Sequence, residues 1–184
     1  MHQNIGAGIG ASADLVRGAS KKETVGMSTR YEVECYDKAG NLKWADSFEN
    51  LVVDAGLDDM LDKYFKGSTY TAAHYVGLKL TGTVDAADTM ASHAGWAESS
   101  AYSDATRPAL TLGSVSSQSV DNSASKAVFN IDDTATITGC FLTTNDTKGG
   151  STGTLYGGGD FSASKSVSDG DTLNVTLTLT SAAV

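Results

Sequence analysis

Proline occurs once in this chain, at Pro108, and cysteine twice, at Cys35 and Cys140. Pro108 cannot donate to a ladder, so it belongs at a strand start or a sheet edge. The two cysteines lie far apart with no CxxC spacing, which removes the usual thiolate metal and redox motifs. Both sit in apolar, strand-like settings and are expected as small buried hydrophobes, with a disulfide between them left open. Histidine is equally scarce: His2, His74 and His93 share no ligand spacing with one another or with the cysteines, so no metal is expected. Basic residues number 13 against 22 acidic ones, a net charge of −9. Such a balance argues against binding a phosphate backbone, and no nucleic-acid partner is expected. No apolar run approaches the ~18–20 residues that span a bilayer, so no membrane partner is expected either. The start of the chain has no basic region followed by a long apolar core, and synthesis in a cytoplasm is expected. The Asn-x-Ser/Thr matches at Asn145 and Asn174 then carry little weight.

What is present suits one compact domain with an appendage. The chain has 184 residues, of which 40% are hydrophobic, enough for a real core. Residues 50–80, NLVVDAGLDDMLDKYFKGSTYTAAHYVGLKL, hold the one convincing helix, expected over about 54–66, and run on into a strand. Asp54 suits the N-cap, and Asp58 and Asp59 suit the positive end of the helix dipole. Leu57, Met60, Leu61, Tyr64 and Phe65 recur at helical spacing as one apolar stripe. Gly67 is placed for the left-handed position after the last turn. Three turns are marginal alone, so the stripe is expected to pack on a sheet.

Residues 1–29 form a separate unit, an extended N-terminal arm, with residues 30–184 as a single β-rich domain. Up to residue 28 the arm is rich in small residues and slightly basic, with Arg17, Lys21 and Lys22 against Asp14 and Glu23. Nearly all the negative charge therefore belongs to the domain. Ile5, Ile9, Leu15 and Val16 are isolated apolar anchors, and an arm ordered on a neighbouring subunit is expected in preference to simple disorder.

From Arg30 the period changes to two. Tyr31, Val33 and Cys35 point one way and Glu32, Glu34 and Tyr36 the other, the mark of a half-buried strand. Residues 37–41 read as a hairpin loop, and 42–48 return as a strand anchored by Leu42, Trp44 and Phe48. Further strands are expected over 74–81, 109–115, 126–131 and 135–142, the last with Ile137, Gly139 and Phe141 on one side. Residues 116–123 read as a polar turn, and Gly157, Gly158 and Gly159 as a bulge or bend in a strand over 154–161. Residues 172–180, TLNVTLTLT, alternate without a break, one face in the core and one in water. About eight short strands with frequent turns indicate a mainly β domain, a sandwich or jelly roll, with one packed helix.

Three motifs look chemical, and each has a plainer reading. Residues 149–153, GGSTG, match the G-x-S-x-G elbow, which works only between a strand and a helix. Here both flanks read as strands, so a hairpin loop is expected. Asp58, Asp59 and Asp62 lie on a helix and lack the alternating oxygen ligands and central glycine of a calcium loop. The glycines at 157–159 lack the lysine of a phosphate loop. No catalytic, cofactor-binding or metal residue is expected, and the chain does not read as an enzyme. Among Tyr70, Tyr75, Trp96 and Tyr102 the choice lies between core packing and interface anchors, since Trp and Tyr dominate contact energetics.

From Asn50 to Thr180 several stretches resemble a family of tailed-bacteriophage virion structural proteins. They include NLVVDAGLDDMLDKYF from Asn50, YVGL from Tyr75, DTMASHAGWAE from Asp88, TRPAL from Thr106, ITGCFLTTNDTKGGSTGTLY from Ile137 and GDTLNVTLTLT from Gly170, in the family's order. DTMASHAGW and CFLTTNDTKGGSTGTLY are the most specific of these. Residues 1–28 and the first hairpin lie outside the resemblance. It implies a non-enzymatic structural role, first of all a capsid decoration (cement) protein on the capsid exterior, made in the host bacterial cytoplasm. A tail or fibre component is the alternative. The implied partners are the major capsid protein and neighbouring copies of the chain, as a dimer or trimer. Ile5, Ile9, Leu15, Val16 and Arg17 of the arm, with His93, Trp96 and Tyr102, are the candidate contact residues.

Overall fold

The computed structural model of the chain describes residues 25–70 and 72–183. The described residues form two antiparallel sheets packed face to face, with one short helical segment. The strands are β1 (Val25–Tyr36), β2 (Leu42–Glu49), β3 (Leu51–Val52), β4 (Tyr75–Gly82), β5 (Trp96–Ser99), β6 (Ser119–Asp121), β7 (Ala127–Asn130), β8 (Ala135–Thr143), β9 (Leu155–Val167) and β10 (Thr172–Ala183). One sheet runs β2-β1-β10-β6, with β7 also pairing β10; the other runs β3-β9-β8-β4-β5. Between β3 and β4 lies α1 (Asp54–Met60), which continues as a π-helical turn, Leu61–Phe65.

The alternation of β1 and β10 sets the main core. Tyr31, Val33 and Cys35 on β1 and Leu173, Val175 and Leu177 on β10 are all fully buried, in register with one another across the pair. From the opposite sheet Val76, Leu78, Ile137, Cys140, Leu142 and Phe161 complete that layer. The hairpin between β1 and β2 forms as its residues dictate. Asp37 Oδ1 accepts from the amides of Ala39 and Asn41, and Gly40 takes a φ of +84°. Cys35 and Cys140 are both buried and unpaired thiols.

A second, smaller core covers the outer face of the other sheet, built from Val53, Val84, Met90, Trp96, Phe141 and Leu155. It explains two departures from the expected strand pattern. Strand β4 is buried on both faces, so it takes in Lys79 as well as Val76 and Leu78. On β8, Ile137 joins the main core and Phe141 the outer one. Those two residues do not share a side, because the β8–β9 register shifts between Ile137 and Gly139 and an irregular ladder breaks the parity of alternation.

Several boundaries differ from those the sequence suggests. Strand β1 begins at Val25 and pairs there with Ala183, so residues 25–29 belong to the sheet and not to the arm. Residues 111–115 form no strand, whereas Ser119–Asp121, inside the expected polar turn, pairs with β10. Leu42 is exposed and anchors nothing. The glycines at 157–159 serve close approach: a Cβ on Gly157 would lie 2.3 Å from the Leu51 carbonyl oxygen, and one on Gly159 2.7 Å from the Phe48 ring.

Candidate interaction surface

The helical segment does not pack as its stripe predicts. Its N-cap is Val53, in an extended conformation with no side-chain capping bond, and Asp54 is the first helical residue. Contact with β9 is made through backbone proximity. Gly56 is buried, and a Cβ there would sit 2.7 Å from the Tyr156 carbonyl oxygen. Val53 N–H donates to that same carbonyl at 3.1 Å. Asp59 reinforces the seat by accepting from the Tyr156 hydroxyl. Asp62 faces its own helix and pairs with Lys66 at 2.9 Å. The segment stops at Gly67, whose φ is +76°, in the left-handed conformation expected after its last turn.

With the glycine face turned to the sheet, the apolar stripe is left facing outward. Leu57, Leu61, Tyr64 and Phe65 are all exposed, Tyr64 at 82% and Phe65 at 78%, with their rings packed edge to face at 5.0 Å. These side chains form one wall of a groove of about 820 Å³. The groove is the open end of the sandwich. Along β1 the inward positions go from fully buried at Tyr31 to 37% exposed at Met27, because the facing sheet no longer covers them. Met27 and Leu179 line it from one sheet and Leu142 and Tyr156 from the other, together with Leu110 and Leu112.

Polar groups are few in this groove. His74 meets the Tyr156 ring edge to face at 5.0 Å, with Tyr70 on its other side at 6.4 Å. Burial holds the His74 imidazole below its ordinary pKa, opposed by the nearby Asp59 carboxylate, so the ring is neutral at pH 7. Contiguous exposed apolar patches are uncommon on single folded domains and are enriched where proteins meet partners or ligands. Among the described residues no triad of nucleophile, base and orienting group lines this groove.

Those candidate contact residues that are described, His93, Trp96 and Tyr102, fall elsewhere. Trp96 is buried in the outer core, its Nε1 donating to Asp88 at 2.9 Å and its ring stacked on His93 at 4.0 Å. Tyr102 is fully buried against Phe129, with the Lys148 ammonium 4.4 Å from its ring centroid. His93, half-buried, is held by Trp96. Trp96 and Tyr102 are thus interior positions among the described residues, and with His93 they form no shared exposed patch. Ile5, Ile9, Leu15, Val16 and Arg17 lie outside the described residues. Of the aromatic set weighed in the sequence, Tyr70 is the one that borders the groove. The stripe at 57, 60, 61, 64 and 65 was the available signal for this surface, but helical spacing does not tell a core face from a contact face.

The specific segment CFLTTNDTKGGSTGTLY forms the β8–β9 connection, and a buried ion pair clamps it. Arg107 Nε and Nη2 donate to the Glu98 carboxylate at 2.9 and 2.7 Å. The same guanidinium donates to the carbonyls of Asn145 and Gly150. Ser151 is therefore on a strand–loop–strand connection, without the helix a nucleophile elbow requires. Among the described residues no group of three or more His, Cys, Asp or Glu side chains is placed to hold a metal ion. No protein-family model matches the chain, and no curated protein matches it in sequence.

Proposed function

We propose that this chain is a non-enzymatic structural protein of a bacteriophage virion, a capsid decoration protein that binds the major capsid protein lattice and stabilises the shell. The observation that carries the reading is the exposed apolar end of the sandwich, where Tyr64 and Phe65 stand almost wholly in solvent. A surface of this kind is covered in the working assembly, since free apolar area is costly to leave in water. The resemblance of residues 50–180 to tailed-phage virion proteins is what supports a virion as that assembly. A decoration role also suits the physics: modest contacts repeated around a symmetric shell add up through multivalency, and shell sites favour symmetric units such as dimers or trimers.

The test is binding of the purified full chain to shells that lack it, scored by copy number per shell and by the shell's heat resistance. Saturation at a symmetric copy number with raised heat resistance is the expected result. Binding to purified tails with none to shells overturns the decoration role in favour of a tail or fibre component. Binding to neither removes the virion reading altogether.

A further inference from the structure

The helical segment rests on β9 through few contacts, and a histidine lies beside the residue that ties it down. We propose that His74 makes this seat acid-sensitive: taking up a proton at His74 releases residues 54–65 from the sheet. Such a release is a property of the single chain and does not depend on the shell reading.

Little holds residues 54–65 in place. Gly56 alone among them is buried, and the outward apolar stripe adds little to the seat. Backbone ties sit at the start, where the Val53 amide donates to the Tyr156 carbonyl at 3.1 Å and the Asp54 amide to the Ala86 carbonyl at 2.9 Å. Among the described residues, Asp59 has the one side chain of the segment that hydrogen-bonds to β9 or the residue before it. It accepts from the Tyr156 hydroxyl and, at 3.5 Å, from that of Thr154. A unit with so few buried contacts opens at a fraction of the cost of global unfolding.

His74 is placed to couple that opening to pH. It belongs to the sheet, as the residue before β4, and its carbonyl accepts from the Leu110 amide at 2.7 Å. Its ring meets Tyr156, the residue whose hydroxyl holds Asp59, and it lines the groove together with Leu57, Met60 and Tyr64 of the segment. The titratable and charged groups around it are Asp59 from α1, Lys63 and Tyr64 from the π-helical turn, Tyr70 from the stretch that follows, and Tyr156 from β9. Lys63 is engaged by Asp62 at 3.7 Å. Burial disfavours the imidazolium, and the Asp59 carboxylate, shared with two hydroxyls, offsets this only in part. Lifting the segment off β9 removes one wall of the groove and lets water reach the ring. A proton then binds the open state better than the closed one. The seat is therefore firm above the ordinary histidine value of about 6.5 and weakens as pH falls below it. The protonated ring also competes with Tyr156 for Asp59, which loosens the tie itself.

Hydrogen exchange of the full chain at pH 7 and pH 5 tests this, expressed as protection factors so that the intrinsic pH dependence of exchange divides out. Over that interval one histidine can change an opening equilibrium by at most about thirtyfold. Protection of the Val53 and Leu57 amides is expected to fall by about threefold to thirtyfold, while the amides of β1 and β10 in the main core keep theirs. His74→Phe fills the same place with a ring that takes no proton, and His74→Gln does so with an uncharged polar group; each should abolish the fall. Proton NMR of the imidazole in the folded chain should show a midpoint below the ordinary value, lower still in Asp59→Asn. The same fall in both His74 variants, no fall in the parent chain, or an imidazole that titrates at or above its ordinary value overturns the proposal.

Discussion

The Arg107 guanidinium and the Glu98 carboxylate meet as a two-pronged pair in the protein interior, Nε to Oε1 at 2.9 Å and Nη2 to Oε2 at 2.7 Å. The Arg107 side chain is fully enclosed and that of Glu98 nearly so. Glu98 also accepts from the Gly149 amide at 2.9 Å, so the pair ties β5 to the loop between β8 and β9.

Removing either partner strands a charge away from water. Arg107→Met and Glu98→Ala are each expected to cost about 3–5 kcal/mol, read as a lower urea midpoint. Arg107→Lys should recover little, because an ammonium cannot reproduce the planar fork or reach both loop carbonyls. Hydrogen exchange should quicken at residues 144–154 in all three variants. A midpoint within error of the parent chain would show that the clamp contributes nothing net.

Lys79 makes the opposite case. Its side chain is also fully enclosed, but its partner Asp160, 2.6 Å away, is 37% exposed. Its ammonium donates in addition to the Gly82 carbonyl. Lys79→Met removes the buried charge but leaves the enclosed Oδ1 of Asp160 without its ion partner, while the rest of that carboxylate still reaches water, so a smaller loss of about 1–2 kcal/mol is expected. Asp160→Ala leaves the ammonium buried with a carbonyl alone, and a loss of about 3 kcal/mol or more is expected. Equal effects of the two substitutions in chemical unfolding would sink this asymmetry.

Gly56 is where the helix touches the sheet. A methyl group there meets the Tyr156 carbonyl oxygen at 2.7 Å and its Cα at 2.8 Å, both backbone atoms with little room to move. Gly56→Ala gains helix propensity of about 1 kcal/mol, yet overpacking costs about 1–3 kcal/mol. The expected outcome is net destabilisation, with faster exchange of the Val53 amide that donates to Tyr156. Stabilisation instead would mean that the helix shifts freely on β9, and that its outward stripe is not fixed in place.

These residues show how far the sequence could be read. Strands β1 and β10 were legible because each has one face in the core, so Tyr31, Val33, Cys35 and Leu173, Val175, Leu177 alternate cleanly with polar neighbours. Strand β4 and the second half of β8 were harder, since both of their faces are covered and a register shift moves Phe141 to the outer core. Strand β6 has only three residues and no pattern of its own; its pairing with β10 defines it. The helix was legible as a helix, from Asp54 to Gly67, but its seating was not. Gly56 reads as a weak helix position, and nothing local reveals that it brings the backbone against Tyr156 and turns Tyr64 and Phe65 outward. Trp96, the first residue of β5, packs inward against Phe141 at 4.9 Å, a placement that its sequence neighbours do not reveal.

The buried thiols give a prediction about alkaline pH. Burial, aided by the Asp171 carboxylate, pushes the Cys35 thiol up to about 12, and burial likewise raises Cys140. In the unfolded chain both should ionise near the ordinary thiol value of about 8.5–9. Between roughly pH 9 and 12 the folded protein therefore holds protons that the unfolded chain has released, and stability must fall as pH rises. Below pH 9 this contribution is fully present. Each thiol adds a slope of at most about 1.4 kcal/mol per pH unit. Urea unfolding at pH 8, 9, 10 and 11 should show that decline, and a Cys35→Ala/Cys140→Ala form should decline less steeply. Tyr31, Tyr70, Tyr102 and Tyr156, also raised by burial, add to the slope that remains above pH 10. In the native protein a thiol reagent at pH 8 should label neither cysteine until the chain is unfolded. Fast labelling of the native form, or an unchanged slope in the double variant, would place the thiols in contact with water and contradict their seat between the sheets.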